Sequence, residues 1–236
     1  MFHCLRPYHG WMNSERVYFH GTEPDAARAI LREGFRISDL RHGPALRNGR
    51  SAGAGVYVAS KLESAANWGS VIIDCRLAEG TRILRVDEEY DVRVIERLRR
   101  RFGRDLFEPD MRVDRALPRN KELTRAELLE LCCFLRARNG RMLRRAWRSP
   151  RSWGYLNKRR PLLAVDRLNV LLRRHQLDAV GDVATRFWDS DELVVFNASR
   201  LEPICARAVL GTKEDARGFI TSVELGESLG ATEAQR

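Results

Sequence analysis

The stretch Gly53–Trp68 carries two aromatic side chains at a spacing that can form a binding slot. Its glycines allow a close approach of the backbone, and Val56–Val58 has the β-branched and aromatic bias of a buried strand. A Ser-x-x-Glu capping box at 60–63 predicts a helix that begins at Lys61. Trp68 would then lie about two turns into the helix and fold back beside Tyr57, so that the two rings hold a flat heterocycle between them. The alternative is an ordinary strand-to-helix corner with both aromatics in the core.

A second stretch, Arg16–Thr22, predicts a strand that ends on a histidine and a glycine. Pro24 suits a first helical position, and the sequence predicts a short helix over Asp25–Glu33 that Gly34 stops. A third stretch, Asp191–Asn197, predicts a strand with a carboxylate at its mouth. Further strands are predicted over 70–77, 82–86, 176–183, 201–204 and 219–225, with a turn at 79–80 between the first two.

These stretches together resemble the ADP-ribosyltransferase superfamily, in its diphtheria-toxin-like and poly(ADP-ribose)-polymerase-like branch with a His-Tyr-Glu triad. The resemblance lies in the order strand-His-Gly-Thr, then Gly-Val-Tyr with Ala-Asn-Trp, then Glu-Leu-Val-Val-Phe-Asn. In that family a second stacking aromatic follows the triad tyrosine by eleven residues, as Trp68 follows Tyr57. The resemblance covers residues 15–87 and 176–205. It implies an α+β fold in which a split, mixed or antiparallel β-sheet forms the ADP-ribosyltransferase core.

The resemblance also implies a site for NAD⁺ as co-substrate, without a metal. Its catalytic residues would be His20, Tyr57 and Glu192. Glu192 would stabilise the cationic sugar that forms when nicotinamide leaves, as carboxylates do in glycoside chemistry. The residues that would bind NAD⁺ are His20, Gly21, Thr22, Tyr57, Ser64 and Trp68. Relatives often place a carboxamide-binding serine beside the second aromatic, whereas two alanines stand here with Ser64 adjacent.

A basic segment separates the two halves of the implied core. Residues 88–174 hold 24 Lys or Arg against 12 Asp or Glu, while the rest of the chain holds 18 against 20. All of the chain's net charge of +10 therefore lies in this segment. Its periodicity predicts mainly helices, among them an amphipathic helix over 161–175. We therefore divide the chain into a first half of the core (1–87), a basic helical insertion (88–175), and a second half that contains the catalytic strand and a C-terminal tail (176–236).

The insertion has the composition of a nucleic-acid-binding surface. Residues 131–165 contain ten Lys or Arg, no acidic residue and several interleaved aromatics. Basic side chains bind phosphates and aromatics stack on bases, whereas the alternative is a solvated helical surface whose aromatics are buried. The predicted nucleic-acid-binding residues are Arg136, Arg138, Arg141, Arg144, Arg145, Trp147, Arg148, Lys158, Arg159 and Arg160.

The sequence leaves open which molecule would accept the ADP-ribose group. Arginine-modifying toxins of the superfamily carry Glu-x-Glu, and Ser190 stands two residues before Glu192, so arginine is disfavoured. The insertion favours RNA or DNA as the acceptor, in a mono-ADP-ribosyltransferase of toxin or defence type with an antitoxin or immunity protein as a further partner. The alternatives are a protein side chain as acceptor, and a non-catalytic nucleic-acid-binding module on the same fold.

Composition places the chain among globular proteins of a reducing compartment. Its apolar fraction of 44% suffices for a packed core. The five cysteines show no Cys-x-x-Cys pair, which favours free thiols. The N-terminus has no signal-peptide pattern, and no run of about 18 apolar residues occurs. We therefore expect a cytoplasmic protein without a membrane partner.

Overall fold

The computed structural model describes residues 16–37, 55–85, 100, 169, 172–182, 192–216, 218 and 220–230. In chain order the strands and helices are β1 (Val17–Thr22), α1 (Pro24–Glu33), β2 (Val56–Ala59), α2 (Leu62–Ala66), β3 (Val71–Leu77), β4 (Ile83–Arg85), β5 (Ala179–Asp182), β6 (Glu192–Val195), β7 (Leu201–Glu214) and β8 (Ile220–Gly230). A short 3-10 helix, Ala198–Arg200, links β6 to β7. Nearly all of the basic insertion lies outside the described residues, and so does every residue predicted to bind nucleic acid.

All eight of these strands join in one mixed sheet, in the order β4-β5-β6-β2-β1-β3-β7-β8. The β4/β5 pair is parallel and the other neighbouring pairs are antiparallel. The described chain therefore has an α+β fold dominated by a single sheet, which confirms the predicted fold class at this level.

The core lies on one face of the sheet, beneath α1. Alternate residues of β3, namely Ile73, Cys75 and Leu77, point to this face and are buried, as period-2 alternation requires. Helix α1 covers them with Ala27 and Leu31. Each fully buried aliphatic side chain of this kind contributes about 1.5–3 kcal/mol.

The ends of α1 confirm the sequence prediction. Pro24 occupies the first turn, where its missing N–H costs nothing. Gly34 ends the helix in the left-handed region, at φ 77°, and its N–H donates to the Ile30 carbonyl at 2.8 Å.

The predicted start of α2 is wrong. The helix begins at Leu62 with Lys61 as its N-cap, no side chain caps it, and it ends at Ala66. The capping box is therefore not formed, because Ser60 stands one residue before the N-cap. Trp68 consequently lies beyond the helix rather than two turns inside it.

The last two strands are longer than predicted. The strands expected over 201–204 and 219–225 are β7 and β8, of 14 and 11 residues. Beyond Ala208, β7 no longer pairs with β3 and continues as a two-stranded ribbon with β8. The ribbon was missed because its residues are mostly exposed, as is Leu210 at 64%, and lack the alternation that marks a half-buried strand.

None of the helices in the described part of the chain has both the length and the apolar character that crossing a bilayer demands. Cytoplasmic localisation stays a prediction.

The sequence predicts that the backbone at Gly55 packs closely against a neighbouring element, and the stability of a variant tests this prediction. A Cβ at this position would lie 2.6 Å from Val194 Cγ1 and 2.9 Å from the Val195 carbonyl oxygen. Gly55→Ala should therefore lower the free energy of unfolding by about 1–3 kcal/mol, as overpacking does, in urea titrations followed by circular dichroism. Gly211→Ala is the matched control, since its Cβ would meet no described atom nearer than Glu224 Oε2 at 3.5 Å. Equal stability of the two variants would contradict the close packing of Gly55 against β6.

Candidate active site at the seam between β1 and β2

The three strands that carry the predicted triad are neighbours in the sheet. Strand β2 lies between β6 and β1, although the chain separates Glu192 from His20 by more than 170 residues. Ala59 of β2 pairs with Glu192 on one side and with Phe19 on the other. The sheet therefore brings the three predicted residues to one region.

Tyr57 and Glu192 share a face of the sheet. Tyr57 pairs with Val194 and Ala59 with Glu192, and directly opposed residues of antiparallel strands point to the same side. Their positions are diagonal neighbours, at a separation of about 7–8 Å. Glu192 is only 7% exposed whereas Tyr57 is half-buried. In such surroundings the Glu192 carboxylate would interact with a nearby positive charge more strongly than it would in water.

Strands β1 and β2 diverge at His20. Their ladder has a single registered pair, Phe19 with Ala59, whereas β1 pairs with β3 along all six of its residues. Beyond that pair, His20 Nδ1 lies 2.8 Å from the Tyr57 carbonyl oxygen. A side chain thus bridges the seam between the two strands where the backbone ladder has ended.

The bond to Tyr57 determines the tautomer of His20. A carbonyl oxygen only accepts hydrogen bonds, so Nδ1 carries the proton and donates it. In the neutral ring Nε2 is then an acceptor, suited to a hydroxyl group of a ligand. The imidazole also packs edge-on against Phe35, with the ring centroids 5.4 Å apart.

The surroundings of His20 keep it neutral. Burial lowers the pKa of the imidazole below its usual 6.5, and this effect outweighs the opposing influence of the hydrogen bond to the Tyr57 carbonyl. The neutral, acceptor-bearing form therefore prevails at neutral pH.

Helix α2 and Trp68 lie on the face of the sheet that carries Tyr57 and Glu192. A Cβ on Gly21 would overlap the Ala65 carbonyl oxygen and approach Trp68 Cβ to 3.2 Å. By alternation Gly21 faces the same side as Phe19, hence the same side as Glu192. Gly69 touches the backbone of Thr22 so closely that any side chain there would overlap it. These two contacts hold the α2 corner against the end of β1.

Ser64 of α2 and Trp68, which follows the helix, differ in exposure. The Trp68 side chain is 53% exposed and free to meet a ligand, whereas Ser64 is nearly fully buried at 2%. The described residues include no ring contact between Tyr57 and Trp68, so a sandwich of the two stays a prediction. A contact from Ser64 to a ligand stays a prediction as well.

The described predicted residues divide between the two faces of the sheet. Gly21, Tyr57 and Glu192 share the face that carries α2 and Trp68, whereas His20 pairs with Ile73 and points to the core face beneath α1, reaching the other group through the Tyr57 carbonyl. Sequence reasoning missed Gly69 and Phe35. Gly69 could have been noticed only as a glycine in a short connection, a residue type that permits close approach of the backbone. Phe35 offers no comparable signal, since its role depends on where α1 lies.

No protein-family model, curated protein or solved structure matches this chain. The described residues contain no group of three or more His, Cys, Asp or Glu side chains that could hold a metal ion. The absence of a metal cofactor stays a prediction.

The lowered pKa of His20 predicts how stability depends on pH. In the unfolded chain the imidazole has its usual pKa of 6.5, so as pH falls below that value the unfolded state takes up a proton first. The His20 contribution to stability is therefore complete above pH 6.5 and is lost as pH falls towards the folded-state pKa. The midpoint of thermal unfolding should decline below pH 6.5 in the wild type.

His20→Asn provides the comparison for this pH dependence. An asparagine amide can still donate to the Tyr57 carbonyl but does not titrate. Its unfolding midpoint, measured between pH 7.5 and 5, should fall less steeply than that of the wild type. Parallel curves for the two proteins would show that His20 titrates alike in the folded and unfolded states.

Proposed function

We propose that the chain is an NAD⁺-dependent mono-ADP-ribosyltransferase of the His-Tyr-Glu type. One observation carries the proposal: strands distant in sequence meet so that Glu192 shares a face with Tyr57, whose carbonyl accepts a hydrogen bond from His20. A buried carboxylate and a half-buried aromatic ring then share one face of the sheet, and a histidine of defined tautomer on the other face is joined to them through the Tyr57 backbone. This arrangement agrees with the triad that the sequence resemblance implies.

The reaction would break the bond between nicotinamide and C1′ of the ribose. The electron pair of that bond leaves with nicotinamide, and positive charge develops on the sugar. The acceptor then forms a bond to C1′ through a lone pair and loses a proton. Glu192 would stabilise the cationic sugar electrostatically, an effect strengthened by its 7% exposure because little water competes for the charge.

The other residues at the seam suit the binding of NAD⁺. His20 Nε2 would accept a hydrogen bond from a ribose hydroxyl, since Nδ1 is committed to Tyr57. Gly21 lies directly against the Ala65 carbonyl oxygen and close to Trp68 Cβ, so a side chain would not fit there, and the glycine holds the end of β1 next to Trp68. Tyr57 and Trp68 would contact the nicotinamide ring from the same face of the sheet.

We propose nucleic acid as the acceptor. The basic insertion accounts for all of the net positive charge, and its acid-free part is better suited to phosphates than a surface of mixed charge would be. Ser190 occupies the position that a second glutamate holds in arginine-modifying relatives of the resembled superfamily. The acceptor would therefore be a base or phosphate of RNA or DNA, rather than an arginine side chain.

Glu192→Gln tests the activity. The carboxylate acts mainly when charge develops on the sugar, so its loss should lower the turnover of labelled NAD⁺ by 10²-fold or more while leaving NAD⁺ affinity largely intact. Release of nicotinamide and titration of NAD⁺ binding give the two quantities. Glu202→Gln, at an exposed glutamate of β7, is the matched control and should keep wild-type turnover.

Label transfer in the same assay identifies the acceptor. Wild-type protein is incubated with NAD⁺ labelled in its ADP-ribose part, together with RNA, single-stranded DNA or lysate protein. Label in a nucleic-acid fraction would support nucleic acid as the acceptor. Label in the protein fraction alone would show that the acceptor is a protein. If Glu192→Gln retains more than about a tenth of wild-type turnover, the assignment of the catalytic carboxylate is wrong.

Tyr57→Ala and Trp68→Ala test the aromatic contacts. Each removes a ring from the proposed slot, and stacking contributes about 1 kcal/mol beyond the buried area, so each should weaken NAD⁺ binding at least fivefold. Tyr57→Phe and Trp68→Phe keep a ring in place and should bind NAD⁺ nearly as the wild type does. Unchanged affinity in both alanine variants, measured by calorimetric titration, would place the nicotinamide slot elsewhere.

A further inference from the structure

A polar cavity lies at the opposite end of β5 and β6 from Glu192. Its volume is about 390 Å³, and it is lined by Gly80, Arg82, Arg173, Gln176, Asp178, Asn197 and Arg200. Asp178 immediately precedes β5, Arg82 precedes β4, and Asn197 follows β6. The cavity is therefore formed where these three strands share an end.

Buried Asp178 organises the cavity. One carboxylate oxygen, Oδ2, accepts the backbone N–H of Arg82 at 3.0 Å, and Oδ1 accepts Asn197 Nδ2 at 2.7 Å. The Nε atom of Arg200 lies 3.6 Å from Oδ1. The carboxylate is only 6% exposed, so its charge serves to position these groups rather than to face a ligand.

The three guanidinium groups leave the cavity positively charged. Arg82 Nη1 donates to the neutral Gln176 Oε1 at 2.6 Å, whereas Arg200 pairs with Asp178 through Nε and approaches the Glu79 carbonyl oxygen with Nη1 at 3.4 Å. Arg173 is exposed and forms no ion pair with any residue that the structure describes. Three cations around one carboxylate give a net charge of about +2, which favours an anion with several oxygens, because each guanidinium presents five donors.

We propose that this arginine cavity binds a backbone phosphate of the single-stranded nucleic acid that the enzyme modifies. The inference rests on the proposed function and adds a docking site on the core itself. Arg173 belongs to the end of the basic insertion whereas Arg82 and Arg200 belong to the core, so residues of both parts of the chain line the cavity.

The position of the cavity favours a polynucleotide over a mononucleotide. Glu192 and Asn197 are five residues apart, which is about 16 Å along an extended strand. The cavity also lies on the β4/β5 side of β6, away from the seam where His20 and Tyr57 meet. A single-stranded nucleic acid that crosses the sheet can reach both Glu192 and the arginine cavity. A single acceptor nucleotide bound at Glu192 cannot reach both.

The test measures binding of a fluorescein-labelled single-stranded 12-mer, as RNA and as DNA, in the absence of NAD⁺. Arg82→Glu/Arg173→Glu should weaken binding at least tenfold. It should also reduce the slope of log affinity against log salt by roughly 1, since each phosphate contact on a single strand accounts for about 0.7. The control Arg32→Glu/Lys213→Glu makes the same change in net charge at exposed positions outside the cavity and should weaken binding less than threefold.

Further measurements separate this proposal from its competitors. Arg82→Gln/Arg173→Gln, which removes charge without reversing it, should weaken binding in the same direction, and circular dichroism verifies that both cavity variants fold. NAD⁺ affinity and the slow hydrolysis of NAD⁺ without acceptor should match the wild type. Inorganic phosphate at millimolar concentration, at constant ionic strength, should not displace the 12-mer.

Three outcomes would overturn the proposal. Equal losses in the cavity variant and its charge-matched control would show that only net charge matters. Weakened NAD⁺ binding in the cavity variant would assign the cavity to the co-substrate, and displacement of the 12-mer by inorganic phosphate would assign it to a small anion. Because binding is measured without NAD⁺, failure here is distinguishable from failure of Glu192→Gln to lower turnover.

Discussion

The hydrogen bond from His20 to the Tyr57 carbonyl is the contact on which the candidate site depends. Strands β1 and β2 share one registered pair, so the sheet has little backbone pairing where its two halves meet. A side-chain donor bridges this seam and at the same time determines which imidazole nitrogen is left as an acceptor. One interaction thus connects the architecture of the sheet to the chemistry of the site.

The corner that follows β2 is held by backbone contacts rather than by helix propensity. Helix α2 has five residues and no side-chain cap, which is too short to be stable by itself. It is positioned because Gly21 receives the Ala65 carbonyl and Gly69 lies against the backbone of Thr22. Those two glycines place Trp68, the most exposed aromatic of the proposed site, next to the end of β1.

The two ends of β6 have opposite electrostatic character. At its start, Glu192 provides a buried negative charge on the face that carries Tyr57. Beyond its other end, Asp178 is surrounded by donors, and three arginines line an open cavity. Under the proposed function, the first environment would suit a cationic sugar and the second a phosphate, so the two ends of β6 would hold different parts of the reacting complex.

The sequence alone determined the local elements that have strong end signals. Pro24 and Gly34 bound α1 correctly, and the β-branched, aromatic run of β2 was predicted to within one residue. The candidate triad and Trp68 were also chosen from the sequence, through its resemblance to the ADP-ribosyltransferase superfamily, and their roles stay predictions. The signals for α1 and β2 lie within a few residues of each element, so they can be recognised without the tertiary structure.

Tertiary structure decided the rest. Helix α2 starts at Leu62, one residue later than predicted, and ends at Ala66, so that Trp68 lies beyond it and Gly69 packs against the backbone of Thr22. The length of β7 and β8 depends on pairing between two exposed strands, which leaves no hydrophobic period in the sequence. The tautomer of His20 and the grouping of Arg82, Arg173 and Arg200 depend on contacts between residues far apart in the chain, and those contacts exist only after the sheet has formed.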